Sequence, residues 1–314
     1  MLSTLALAAV SLAMLYLGGE SLVRGASALA TRLGVSPVGI GLTVVAFGTS
    51  APELVVSVDA ALSGANDIAL ANVVGSNIAN VTLILGLAAL LRPCAVHAKI
   101  VRIDAPIMIG ASLALAAVFA DGAASRLEGV LLLIALVVYT GFTFWDARRE
   151  PEPVREEIAS AAPRRPVGAA LGGALVVAGL ALLVVGGHLL VVSAVDLATA
   201  LGVGSAAIGL TIVAVGTSLP EFATTVVASA RGQGDIAVGN VVGSNIFNVL
   251  GILGVTAVVR PLDMGGLTWL DLGTMVGLAC LVAFFVATRH RMGRVEGTVL
   301  VALFVAYTSW MLTA

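Results

Sequence analysis

The chain has 314 residues, of which 59% are apolar and 11% charged, with a mean hydropathy of +1.09 and a net charge of −2. This composition excludes an ordinary soluble domain, and the near-neutral balance provides no polyanion-binding surface, so nucleic acid is excluded as a partner. A spanning helix takes about 20 apolar residues, so lipid is the expected solvent and no separate soluble domain fits.

Apolar runs punctuated by Gly, Pro and charge predict spans near residues 3–31, 36–64, 67–91, 103–120 and 127–146. A second set follows near 167–199, 204–231, 235–259, 268–288 and 296–313. No Lys or Arg precedes the first run, which outlasts a signal-peptide core and reads as the first span. Between the sets lies one conspicuously polar, proline-rich stretch from Arg148 to Pro166, read as a solvated linker. The expected organisation is a five-helix unit over 1–147, a cytoplasmic linker over 148–166 and a second five-helix unit over 167–314. Cys94 and Cys280 suggest no disulfide framework and read as small core residues.

A shift of 168 residues lays the second half on the first: Ile40–Pro93 against Ile208–Pro261 gives 32 identities in 54 positions. The chain is an internal duplication. An odd number of spans per copy makes the second copy enter the membrane from the opposite side, so the predicted fold is all-α, ten transmembrane helices in two inverted repeats. Fourteen basic residues fall on one predicted face, and only Arg126 and Arg260 on the other. The positive-inside rule then puts both termini outside.

The second and seventh spans carry Gly48-Thr49-Ser50-Ala51-Pro52-Glu53 and Gly216-Thr217-Ser218-Leu219-Pro220-Glu221 within apolar runs. Each proline removes a backbone donor and clashes with the carbonyl four residues back, so both helices should break and turn freed carbonyls inward. Glu53 follows Ser50 by three and Thr49 by four, which gathers a carboxylate and two hydroxyls on one face, and Glu221 repeats this with Ser218 and Thr217. The third and eighth spans add Ser76 and Asn80, and Ser244 and Asn248, each pair four apart. An all-oxygen set of this kind suits a hard cation such as Ca2+, and two carboxylates balance one divalent charge. Gly75 and Gly243 are expected to serve helix packing.

The paired GTSxPE blocks, each followed by an N-V-V-G-S-N-I block, resemble the alpha repeats of the sodium/calcium exchanger family within the Ca2+/cation antiporters. The resemblance implies a transporter rather than an enzyme, with Ca2+ and Na+ as substrates and no cofactor. It also implies broken helices 2, 3, 7 and 8 at the ion sites and alternating access by movement of the first and sixth helices. Carried onto this chain, it makes Glu53 and Glu221 shared metal ligands. Thr49, Ser50, Ser76, Asn80, Thr217, Ser218, Ser244, Asn248 and the carbonyls of Ala46 and Ala214 complete the sites. Some relatives carry Asp at the position of Asn248; here both symmetric positions are amides, which argues against K+ co-transport and weakens a proton-coupled scheme.

The expected function is an electrogenic Na+/Ca2+ antiporter, functional as a monomer. An H+-coupled Ca2+ exchanger is the alternative, and a passive channel or a membrane scaffold is the reading from another class. One lysine among fifteen arginines, together with the short linker, places the protein in a prokaryotic cytoplasmic membrane. Glu20 and His188 are symmetry mates too far apart in height for an ion pair, and interhelical or water-facing roles are expected. Asp67 and Asp235 are expected to cap helix N-termini.

Overall fold

Runs of Leu, Ala, Val and Gly make helices, and the computed structural model, which describes residues 2–33, 35–147, 168–200 and 216–311, is built almost entirely of them. In chain order they are α1 (Leu2–Leu33), α2 (Val38–Thr49), α3 (Ala51–Leu62), α4 (Asn66–Leu91), α5 (Ile100–Asp121) and α6 (Arg126–Ala147). Beyond the linker come α7 (Ala169–Ala200), α8 (Leu219–Ala230), α9 (Gly234–Val259), α10 (Trp269–Arg289) and α11 (Arg294–Met311). Among the described residues, seven helices are long and apolar enough to cross a membrane, or eight if the bent pair α2 and α3 forms one span. The chain is therefore a multi-pass all-α membrane protein. Residues 148–167, which hold the predicted linker, and 201–215, the first half of the predicted seventh span, lie outside the described residues.

Pro52 acts as expected. α2 and α3 meet at 44° across Ser50, whose backbone (φ −83°, ψ 9°) leaves the helical region. Ser218 adopts the matching conformation (φ −85°, ψ 9°) before α8. The third and eighth spans depart from expectation. They run on unbroken as α4 and α9, because they hold no proline and absorb the irregularity in wide π turns at Asn80–Ile84 and Asn248–Leu253.

Two short antiparallel pairings fix the ends of the bundle. β1 (Cys94–Ala95) pairs with β4 (Arg291–Met292), and β2 (Ala123–Ala124) pairs with β3 (Leu262–Asp263). α5 runs from β1 to β2, so the two pairings lie at opposite ends. A shift of 168 residues carries β1 onto β3 and β2 onto β4, which makes each pairing the image of the other. The same holds for two arginines that close helix ends: Arg92 Nη1 donates to the carbonyl of Ala230 (3.1 Å), and Arg260 Nη1 to that of Leu62 (3.2 Å).

Among the described residues, α4 and α9 are the most buried spans and form the centre, with α1 and α7 packed on each other outside them. Small residues allow that last contact: a Cβ on Gly25 would lie 2.7 Å from the Gly172 carbonyl oxygen, and one on Gly179 would lie 2.6 Å from the Leu22 nitrogen. Gly243 likewise packs closely, since its Cβ would meet the Leu42 carbonyl at 2.7 Å, whereas Gly75 lies on an exposed side of α4.

Several expectations change. Cys94 is buried but Cys280 is exposed on α10, because a span turns apolar side chains to lipid as readily as to its core. Asp67 does not cap α4. That cap is Ala65, and the Asp67 carboxylate instead accepts the Gly266 N–H at 2.9 Å, where Gly265 (φ +57°) turns the chain after β3. Asp235 also sits in a first helical turn, behind the cap Gln233. Glu20 takes the interhelical role: it pairs with Arg24 on its own helix at 2.6 Å and with Arg231 at the end of α8, while His188 is exposed.

Candidate functional site

The breaks at Ser50 and Ser218 bring two helix N-termini into the middle of the protein. Glu53 lies in the first turn of α3 and Glu221 in the first turn of α8, where the positive end of each helix dipole favours negative charge. Both carboxylates are 1% exposed, deep enough that solvent cannot balance them.

The two halves exchange hydrogen bonds across this centre. Ser50 Oγ donates to Glu221 Oε1 at 2.7 Å, and Ser218 Oγ donates to Glu53 Oε1 at 2.9 Å. Ser218 Oγ also lies 3.4 Å from Ser76 Oγ. Each glutamate is thus held by the serine of the opposite half, which places both carboxylates, Ser50, Ser76 and Ser218 in one buried cluster. Among the described residues, Glu53 Oε2, Glu221 Oε2, Asn80 Oδ1, Asn248 Oδ1, Asn245 Oδ1 and Ser244 Oγ are buried with no hydrogen-bond partner. A buried oxygen without a donor costs about 1–3 kcal/mol; a cation coordinated by several of them removes that cost. These are carboxylate, hydroxyl and amide oxygens, so the site's chemistry is that of hard oxygen donors.

The remaining candidates divide. Thr49 Oγ1 and Thr217 Oγ1 donate to Asn240 Oδ1 (3.2 Å) and Asn72 Oδ1 (3.4 Å), again across the two halves. The Ala46 carbonyl is not freed by the proline: it accepts the Ser50 N–H at 3.1 Å and lies 3.3 Å from the Thr49 hydroxyl. Ala214 lies outside the described residues. Asn248 Nδ2 donates to Asn77 Oδ1 at 3.1 Å, and that bond turns its own Oδ1 the other way.

Sequence reasoning passed over Asn72, Asn240, Asn77 and Asn245. Their signal was present, since all four recur under the 168-residue shift inside the N-V-V-G-S-N-I blocks. Asn72 Nδ2 donates to the Glu53 carbonyl (3.0 Å) and to Ser57 Oγ (2.8 Å), and Asn240 Nδ2 to the Glu221 carbonyl (3.4 Å) and Thr225 Oγ1 (3.0 Å).

Comparison with known proteins gives a consistent result. A family model described as sodium/calcium exchanger protein matches residues 3–145 and again 171–313, two segments displaced by the same 168 residues as the internal repeat. The putative antiporter CaxA of Alkalimonas amylolytica is 37% identical over 306 residues, covering 95% of each chain. The sodium/calcium exchanger MaX1 of Methanosarcina acetivorans is 33% identical, also covering 95% of each chain. Among solved structures, the sodium-calcium exchanger NCX_Mj soaked with Na+ and Sr2+ superposes with a TM-score of 0.85 at 30% identity, covering 98% of this chain and 97% of that one.

Proposed function

The chain belongs to the sodium/calcium exchanger family, and from that premise we propose that it is an electrogenic antiporter in which Na+ influx drives Ca2+ extrusion by alternating access. The family's members are transporters rather than enzymes and carry Ca2+ and Na+ without a cofactor. One observation carries the finer reading: the exchanged Ser50–Glu221 and Ser218–Glu53 bonds join two buried carboxylates into one cluster, and each keeps one buried oxygen free of donors.

In this reading Glu53 and Glu221 bind Ca2+ and Na+ in turn, and Thr49, Ser50, Ser76, Thr217, Ser218, Ser244, Asn80, Asn248 and the carbonyls of Ala46 and Ala214 complete the sites. Two carboxylates neutralise one Ca2+ or two Na+. Since one set of carboxylates serves both ions, each must leave before the other loads, and coupling follows without a long-range signal. With more than two Na+ per Ca2+ each cycle moves net charge, worth about 2.3 kcal/mol per charge per 100 mV.

The architecture of this proposal is ten spans in two inverted five-helix repeats, 1–147 and 167–314, acting as a monomer in a prokaryotic cytoplasmic membrane. The mirrored strand pairings at opposite ends and the mirrored Arg92 and Arg260 contacts support the inversion. The ends also differ in charge: Arg92, Lys99 and Arg291 gather at the β1–β4 end and Arg126 and Arg260 at the other, which supports a cytoplasmic β1–β4 end and outer termini. The α1–α7 pair, packed through glycines, is the unit that slides against the centre.

The test is Ca2+ uptake into proteoliposomes loaded with Na+, compared with vesicles carrying only an H+ gradient, with Glu53→Gln as the blank. Uptake driven by Na+, raised by a favourable membrane potential and lost in the variant, is expected. Uptake driven only by H+ would overturn the Na+ assignment.

A further inference from the structure

Every hydroxyl that binds a cation through its lone pairs must give its single proton to something else. For Thr49 and Thr217, placed in the ion sites by the reading above on which this inference rests, the structure supplies one acceptor each from a residue with no assigned role. We propose that Asn72 and Asn240 are positioning residues that take the hydroxyl protons of Thr217 and Thr49, so that both threonines present lone pairs to the ion.

The amides can act this way because their orientation is fixed. Asn72 Nδ2 faces two acceptors, the Glu53 carbonyl at 3.0 Å and Ser57 Oγ at 2.8 Å, so its Oδ1 is the end that meets Thr217 Oγ1 at 3.4 Å. Asn240 is built in the same way, with Nδ2 on the Glu221 carbonyl and Thr225 Oγ1 and Oδ1 on Thr49 Oγ1 at 3.2 Å. Two independent copies of one four-membered arrangement, each crossing from one half of the chain to the other, are not explained by helix packing, which small apolar residues would serve equally well.

An alternative acceptor makes the choice matter. The Thr49 hydroxyl also lies 3.3 Å from the Ala46 carbonyl oxygen. A hydroxyl donating there blocks an oxygen that the cation needs. Donation to Asn240 releases it, so Asn240 acts on the Ala46 carbonyl as well as on Thr49. The two asparagines touch no ion themselves.

The experiment is a double-mutant cycle on ion affinity, read as the Ca2+ and Na+ concentrations giving half-maximal exchange in proteoliposomes made from monodisperse protein. Asn72→Ala and Thr217→Val should each weaken apparent affinity by about 5–10-fold with maximal rate nearly kept. In the Thr217→Val background, Asn72→Ala should add almost nothing, whereas combined with Thr49→Val its effect should multiply. Asn240 and Thr49 form the mirrored cycle, which serves if Asn72→Ala fails to fold. Equal multiplication with both threonines, or loss of rate with affinity unchanged, would overturn the proposal. A wild-type protein with no Na+-dependent Ca2+ exchange would instead overturn the function on which it rests.

Discussion

Arg231, at the C-terminal end of α8, reaches the carboxylate of Glu20 on α1, and Arg24 closes on the same carboxylate at 2.6 Å. The pair has no image in the other half, where the shifted positions hold His188 and Ser63. Beside it, Ser27 Oγ lies 3.2 Å from Oε1 of Gln233, the cap of α9, so α1 is tied to the turn between α8 and α9 more firmly than the pseudo-symmetry requires. Removing one partner leaves a mostly buried charge with weaker support, and hydrogen bonds to charged groups are worth about 1.5–3 kcal/mol. Arg231→Gln should lower the thermal midpoint in detergent, and Glu20→Gln combined with it should cost no more than the costlier single change.

The glycine contact between α1 and α7 leads to a second expectation. In Gly25→Ala and Gly179→Ala the new Cβ would meet backbone atoms at 2.7 and 2.6 Å, which cannot move aside as a flexible side chain can. Overpacking of this kind costs about 1–3 kcal/mol. Both variants should melt earlier than wild type in detergent, while Gly141→Ala, on an exposed side of α6, should not.

Ser50 and Ser218 should behave alike. Each donates to the carboxylate of the opposite half, at 2.7 and 2.9 Å. Ser50→Ala and Ser218→Ala remove the same kind of bond from Glu221 and from Glu53, and each should weaken Ca2+ affinity by about 10-fold, or ~1.4 kcal/mol. Calcium-dependent stabilisation against heating measures this directly. A large effect from one serine and none from the other would show that the two carboxylates do not share one cluster.

The two cysteines should differ in reactivity. Cys94 is buried against Ser229, its Sγ 3.5 Å from the Ser229 hydroxyl, and burial pushes its thiol above the ordinary range. The folded state therefore favours the thiol. That preference contributes stability at pH below the unfolded thiol's titration and loses it as pH rises through the folded one. A maleimide should label Cys280 first when lipid-permeant, and Cys94 only on unfolding or at strongly alkaline pH.

Much of the architecture was legible before any coordinates. Where the structure describes both ends, hydropathy located the spans to within a few residues: 67–91 against Asn66–Leu91, and 127–146 against Arg126–Ala147. Pro52 announced the bend at Ser50, because a missing N–H and a ring clash act locally and in any context. The wide turns at Asn80 and Asn248 could not be read in the same way, since nothing local forbids a regular helix there.

That the chain lives in lipid, that it is one unit written twice, and that its carboxylates sit at broken helices can all be read from the order of residues. These follow from composition, repetition and the stereochemistry of proline, which depend on near neighbours along the chain. Who meets whom emerges from helix packing: Ser50 serves Glu221 rather than Glu53, Asn72 crosses to Thr217, Asp67 holds Gly266 instead of capping its helix, and Cys280 faces outward. Each of these is set by how one helix is turned against another, and a helix with apolar residues on every face carries no periodic signal of that rotation.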